Sequence, residues 1–199
     1  MGSFVAFSSM ITFVGPVELA AHIIVVRICS VSFLPGHAVG EAAGVLVGQF
    51  VGAGRRELAL PVIWSATKLA VGIMVSWGLI FWWFPEHLVR PFNAELAVSK
   101  VAVSILLVAA AFQLFDAVVM AVSGGLNGAG DTKWVMIVSL LAAWLIKVPA
   151  AYLFTFSAEL GAQGAWLGFT VELVILSAVL VWRSRGDSWL KHAVLPPAG

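Results

Sequence analysis

The chain has 199 residues, of which 61% are apolar and 11% are charged, whereas soluble domains carry about 25% charged residues. Its mean hydropathy is +1.04 and its formal net charge is +1, which excludes an ordinary soluble domain and gives no sign of nucleic-acid binding. The single cysteine, Cys29, excludes a disulfide framework, and the four histidines offer no common zinc spacing. The composition therefore predicts an integral membrane protein made of helices in the lipid bilayer.

Six apolar segments appear when the chain is divided at its glycine, proline and charge clusters. Their predicted bounds are 2–14, 17–51, 58–84, 97–124, 134–156 and 162–182. None alternates with a period of two residues, so a β-barrel is not expected. The first is too short to span a bilayer and has no basic residues before it, so we interpret it as the later part of a helix rather than a secretory signal. The prediction is an all-α membrane domain over 1–182 and a polar cytoplasmic tail over 183–199.

The segment 17–51 is unusually long. As a straight helix it measures about 52 Å, whereas the hydrocarbon core is about 30 Å thick. Pro35 and Gly36 lie near its middle, so it is either one kinked helix or two short spans. We favour the kinked helix, because each half has only about 17 residues, which is marginal for spanning.

The basic residues of the connections predict the orientation, because cytoplasmic loops carry an excess of lysine and arginine. Two of them, Arg90 and Lys100, fall on one side. Six fall on the other side, namely Arg55, Arg56, Lys133, Arg183, Arg185 and Lys191. We therefore expect both chain ends in the cytoplasm. Tryptophans near the segment ends, Trp166 among them, are expected to anchor the helices at the membrane interface.

Glycines recur every four residues in the second segment, at Gly36, Gly40, Gly44, Gly48 and Gly52. Such a row lies along one helix face, where it favours close helix packing. Since glycine also lowers helix stiffness, the row is an alternative candidate for a hinge together with Pro35.

A second row with the same spacing contains His37 and Glu41. An ionised carboxylate inside a bilayer needs water, a partner or a proton, so Glu41 is a candidate functional residue. His37 is a weaker candidate for cation coupling or transport, because it lies near the proline and is expected to bond a backbone carbonyl freed there.

Asp116 is the second acid within an apolar segment. It lies 12 residues before Gly128, and Glu41 lies 11 residues before Gly52, so both are about 18 Å from similar Gly-Ala-Gly turns. Two carboxylates at one depth suit a cation or proton site if the helices bring them together.

Lys147 and Glu172 lie on adjacent antiparallel segments at depths that differ by only about 5 Å. We predict that they form a structural ion pair. Pro149 frees backbone groups nearby and permits a bend. Arg27 has no evident partner, and no nucleophile, base or phosphate loop occurs at motif spacing, so an enzyme is not expected.

Three stretches resemble the multidrug and toxic compound extrusion (MATE) transporters. The first, at 18–59, is ELAAHIIVVRICSVSFLPGHAVGEAAGVLVGQFVGAGRRELA, which is similar to the family's eighth helix. The second, at 112–133, is FQLFDAVVMAVSGGLNGAGDTK, which is similar to the tenth helix and its following turn. The third comprises IKVPAAYLF and LGAQGAWLGF within 146–169, which resemble the last two helices.

The resemblance implies the C-terminal six-helix lobe of a twelve-helix transporter, with its first helix truncated. It implies efflux of organic, often cationic, compounds in exchange for sodium ions or protons, with no other cofactor. Asp116 matches the tenth-helix acid implicated in cation coupling, which makes it the possible sodium site, and Gln113 matches the polar residue that precedes this acid. The partners implied are an N-terminal lobe and small drug-like substrates. The usual Leu-Arg-Gly after the tenth helix has Asn127 in place of arginine.

Two other functions remain open from the sequence. A lipid-linked oligosaccharide flippase of similar architecture is expected to have a cleft rich in arginine and lysine. A non-transporting membrane remnant or assembly partner is expected to lack a partner lobe.

Overall fold

In a computed structural model of the chain, residues 2–186 and 189 are described, and this part is helical throughout apart from short turns. The helices are α1 (Gly2–Val14), α2 (Pro16–Gly52), α3 (Ala59–Trp83), α4 (Pro85–Val89), α5 (Leu96–Gly128), α6 (Thr132–Ala142), α7 (Val148–Tyr152) and α8 (Gly161–Arg185). Short 3₁₀ turns lie at Arg56–Leu58 and Arg90–Phe92, and π-helical turns lie at Ala143–Lys147 and Leu153–Ser157. The described part contains five helical rods long and apolar enough to cross a membrane, and α1 is a shorter apolar helix. The all-α membrane architecture is thus confirmed.

Two helices, α5 and α8, extend beyond their predicted ends. Helix α5 continues to Gly128, four residues beyond the predicted bound at 124, because Gly124 and Gly125 pack against neighbouring helices instead of ending the helix. Helix α8 continues to Arg185, so the predicted tail over 183–199 is wrong at its beginning. Trp189 is buried, and its Nε1 donates a hydrogen bond to the Ser184 carbonyl at 3.1 Å. Residues 187, 188 and 190–199 of that tail lie outside the described residues.

The long second segment forms one helix, α2, which carries Pro35 in its interior. The alternative of two short spans is therefore wrong. Pro16 occupies the first turn of α2, where its missing N–H would have no helical partner in any case. Glycine is required just before it, since Gly15 has φ +153°.

The two Gly-Ala-Gly tripeptides end α2 and α5 in the same way. Gly54 and Gly130 adopt φ +78° and +93°, which favours glycine. The next N–H in each case bonds back across the last turn, from Arg55 to the Phe50 carbonyl at 2.8 Å and from Asp131 to the Leu126 carbonyl at 3.0 Å. This is the Schellman arrangement of a helix C-terminus. The similarity seen in the sequence reflects a shared helix-ending motif.

Glycines set the distance between α2 and α5. A Cβ added at Gly44 would lie 2.9 Å from the Gly124 carbonyl oxygen, and one at Gly124 or Gly128 would overlap the carbonyl group of Gly40 or Gly44. The two backbones are therefore in direct contact, as in other small-residue interfaces of membrane helices. The end of the row differs, since a Cβ at Gly52 would meet nothing within 4 Å.

Helix α8 packs in a similar way against α7 and the π-helical turn that follows it. A Cβ at Gly164 or Gly168 would overlap the backbone of Phe154 or Ala151. The π-helical turn Ala143–Lys147 lies immediately before the residues around Pro149, where proline removes one backbone donor and its ring crowds the preceding turn. The bend expected at Pro149 stays a prediction, and the irregularity that the structure shows just before this residue is a π-helical turn.

A small apolar cluster surrounds Met74 and Ala121, and two larger clusters occupy other parts of the bundle. One of the larger clusters surrounds Phe112 and Trp166, and the other surrounds Leu126 and Leu180. We call them the Phe112 cluster and the Leu126 cluster. Asp116 lies on α5 between Phe112 and Leu126, and therefore between these two clusters along the helix.

The glycine contact makes a testable prediction. We expect Gly124→Ala to destabilise the protein by about 1–3 kcal/mol, because the added methyl group overlaps the Gly40 backbone and the helices must separate. Gly72→Ala on α3 is the matched control, since nothing lies within 4 Å of its Cβ, and it should be neutral or stabilise by up to about 1 kcal/mol. Thermal unfolding in detergent measures both changes, and equal melting temperatures for the two variants would contradict the contact.

Candidate functional site

A cleft of about 860 Å³ opens between α2, α5, α8 and the π-helical turn that ends at Lys147. Glycines 40, 44, 124 and 128 of the α2–α5 contact lie along it. Its ionisable or amide-bearing side chains are His37, Glu41, Asp116, Asn127, Lys147 and Glu172. Phe33 and Phe169 add aromatic surface. The cleft thus combines apolar walls with a small set of charged groups.

Lys147 and Glu172 are brought together in this cleft. The Lys147 Nζ lies 3.2 Å from Glu172 Oε2, and the two side chains are 11% and 5% exposed. The ammonium also lies 5.4 Å from the centroid of the Phe169 ring. Each charge therefore has an opposite charge beside it, as buried ionised groups require.

Asp116 is buried and lines the same cleft as Glu172. It makes no hydrogen bond or ion pair with any residue in the described part of the chain. Lys147 is already paired with Glu172, so one carboxylate of this buried group lacks a positive partner. An uncompensated carboxylate in a low-dielectric region needs a proton or another cation.

Gln113 lies one helical turn before Asp116, but it is fully buried and does not line the cleft. Its Nε2 donates to Ser32 Oγ at 2.8 Å, and Ser32 Oγ donates to the Cys29 carbonyl at 2.8 Å. Gln113 therefore ties α5 to α2 beside the acid. The sequence reasoning missed Ser32, because a serine in an apolar helix carries no signal of its distant partner.

Glu41 and His37 face the same cleft as Asp116, but both are exposed. Among the described residues His37 makes no hydrogen bond, so the bond expected to a carbonyl freed by Pro35 is not formed. Arg27 is also exposed on α2 and has no ion pair within the described part. The cleft therefore has buried charged groups at Asp116, Lys147 and Glu172, whereas its charged or titratable residues on α2, Glu41 and His37, are exposed.

A hydrogen-bonded aromatic cluster lies where α1, α2 and α8 meet. Trp166 Nε1 donates to His22 Nδ1 at 3.2 Å, and Ser8 Oγ lies 3.4 Å from His22 Nε2. The Trp166 ring stacks on Phe112 with centroids 5.8 Å apart. Trp166 is only 3% exposed, so the expectation that it anchors the membrane interface is wrong. It lies near the start of its segment, but α1 and α2 cover it.

The other end of the bundle has an ion pair that the sequence did not predict. Arg183 donates to Asp131 from Nε at 2.8 Å and from Nη2 at 3.1 Å, and its guanidinium lies 4.8 Å from the Trp134 ring centroid. This bidentate contact holds the α5–α6 turn against the end of α8. The partners are 52 residues apart, so only the tertiary structure reveals them.

Comparison with known proteins gives a consistent picture. The sequence model of the MatE family matches residues 1–153. A protein of Thermotoga maritima described as a probable multidrug resistance protein NorM is 31% identical over 192 residues, and one of Burkholderia pseudomallei with the same description is 35% identical over 192 residues. These alignments cover 95% and 93% of this chain. The chain spans about two fifths of the length of each relative, since 41% of each is covered.

Solved structures share the fold. A multidrug resistance MATE family transporter of the MOP superfamily in its outward-facing conformation has a TM-score of 0.87, with 17% identity over 98% of this chain and 44% of that chain. A structure of such a transporter in an inward-facing conformation has a TM-score of 0.79, with 19% identity over 96% of this chain and 45% of that chain. With the family match, these likenesses lead to one conclusion: the chain belongs to the MatE family, whose members are multi-pass membrane transporters and not enzymes.

Proposed function

We propose that this chain forms one lobe of a multidrug efflux antiporter, which exports organic, often cationic, compounds in exchange for sodium ions or protons. The observation that carries the proposal is the buried carboxylate of Asp116, which lines the cleft and has no positive partner in the described part of the chain. The relatives described as multidrug resistance proteins support the substrate class.

The chemistry of the cleft suits such exchange. Phe33 and Phe169 offer apolar and aromatic contact to an organic compound, and Asp116 attracts a positive charge. A sodium ion or a proton satisfies the same carboxylate, because either one neutralises its charge. Binding of the coupling ion at Asp116 therefore disfavours a bound organic cation and promotes its release.

The proposal includes a second lobe. Alternating access rocks one structural repeat against another around a site at their interface, and this chain supplies one such repeat. The partner lobe would cover the open side of the cleft, where Glu41 and His37 are exposed. The flippase alternative is less well supported, because Lys147 and the exposed His37 are the basic residues that line the described cleft, and Lys147 is paired with Glu172.

The first prediction concerns Asp116. Asp116→Asn in the protein as expressed from its own gene should abolish ion-driven drug efflux, because the neutral amide no longer exchanges one cation for another. Efflux of a fluorescent cationic dye from loaded cells, with expression and thermal stability checked in parallel, measures the effect. The matched control is Glu41→Gln, which should reduce efflux less because Glu41 is exposed. Unchanged efflux with normal ion dependence in Asp116→Asn would reject the assignment.

The second prediction concerns orientation, which we propose from the lysine and arginine distribution to be cytoplasmic at both chain ends. In a Cys29→Ala background, Asn93→Cys should react with an impermeant thiol reagent in intact cells, because it lies in the connection with fewer basic residues. Arg56→Cys should react only after lysis. Labelling of Arg56→Cys from outside would reverse the orientation.

The third prediction is that a polypeptide of residues 1–199 expressed alone does not pump drug. Helix α1 has 13 residues and is about 20 Å long, which is shorter than a hydrocarbon core of about 30 Å. One repeat also has no second repeat against which to move. Drug accumulation in an efflux-deficient bacterium, at verified membrane levels, is the measurement. Reduced accumulation that disappears when the ion gradient is dissipated would contradict the prediction and indicate that two copies pair to rebuild the cleft.

A further inference from the structure

We propose that the ammonium group of Lys147 limits the site formed by Asp116 and Glu172 to one additional monovalent cation at a time. This inference rests on the proposed function, because it assigns the residue that makes the coupling ion and an organic cation mutually exclusive. It concerns the Lys147–Glu172 pair, for which the sequence predicted only a structural role.

The position of Lys147 supports this role. Its Nζ is 3.2 Å from Glu172 Oε2 and faces the same cleft as Asp116, so it is not an ion pair on a remote helix face. The π-helical turn Ala143–Lys147 ends at this residue, and such turns occur frequently at functional sites. Asp116, Lys147 and Glu172 are all buried and all line this cleft, so the three ionisable groups form one electrostatic unit.

The charges of this unit determine how many additional cations it can bind. When all three groups are ionised, Asp116 and Glu172 contribute two negative charges and Lys147 contributes one positive charge. The other polar side chains that line the cleft apart from Glu41 and His37, namely Ser123 and Asn127, are neutral. Glu41 and His37 are exposed and therefore more strongly screened. The buried unit thus has a net charge of −1.

One added monovalent cation brings the unit to neutrality, and a second would leave it with a net positive charge. In a low-dielectric site, unbalanced charge is strongly unfavourable. A sodium ion or proton and the charged group of an organic compound should therefore exclude each other. Without the lysine charge the unit would have a net charge of −2 and would accept both cations together, which would uncouple exchange.

The test measures binding of tetraphenylphosphonium to the protein, expressed from its own gene and reconstituted in nanodiscs, over a series of sodium concentrations. For the wild type, the apparent Kd should rise in proportion to sodium, as for competitive binding. Lys147→Met should bind the probe on the order of tenfold more tightly and lose most of its sodium competition, because the unpaired negative charge is stronger. A parallel series in pH with potassium as the only metal cation tests a proton as the competitor.

Charge-matched variants separate this role from a structural one. Lys147→Arg and the double variant Lys147→Met/Glu172→Gln both keep a net charge of −1 and should retain competition, although the double variant has lost the ion pair. Glu172→Gln alone brings the unit to neutrality and should bind the probe weakly. The double variant contains no unpaired lysine or glutamate charge. If Lys147→Met fails to fold, weak probe binding by Glu172→Gln together with retained competition in the double variant still tests the dependence on net charge.

The outcomes distinguish the two proposals. Probe binding that is absent, or that does not depend on Asp116, would overturn the proposed function and this inference with it. Asp116-dependent binding in which Lys147→Met competes with the coupling ion like the wild type would overturn the role of Lys147 alone. The same holds if the double variant loses competition, because binding would then follow the presence of the ion pair and not the net charge.

Discussion

Helices α2 and α5 touch backbone to backbone, and this contact sets the geometry of the cleft. Lipid provides little hydrophobic driving force between helices, so membrane helices associate through close packing of small residues. Gly40 and Gly44 meet Gly124 and Gly128 with no side chain between them. The same glycines line the cleft, so the contact forms its floor and holds Asp116 on α5 opposite the exposed face of α2. A larger residue in this row would separate the helices and displace the acid.

The absence of bulk water in the bilayer core accounts for the arrangement of the polar groups. Lys147 neutralises Glu172, Gln113 bonds to Ser32, and Trp166 bonds to His22, all between or within apolar clusters. Asp116 is the buried carboxylate that this network leaves without a partner in the described part of the chain. This carboxylate is the group on which the proposed exchange of cations depends.

Helix α8 is tied to its neighbours near both of its ends. Glu18 at the start of α2 accepts a hydrogen bond from the Ala162 N–H at 3.0 Å, beside Gly161 in its left-handed conformation, and Asp131 binds Arg183 at the opposite end. These contacts join α8 to α2 and to the α5–α6 turn. The fold resembles those of solved structures in outward-facing and inward-facing conformations.

The sequence by itself determined the membrane class, the number of apolar segments and the family, because hydropathy, glycine spacing and short motifs are local properties. It also identified the buried acid and the Lys147–Glu172 pair, since charges in apolar helices stand out. It did not determine that Gln113 points away from the cleft, that Glu41 is exposed while Asp116 is buried, that Trp166 is a core residue, or that Asp131 binds Arg183. Those features depend on which helix faces meet across tens of residues, and the packing of whole helices decides this.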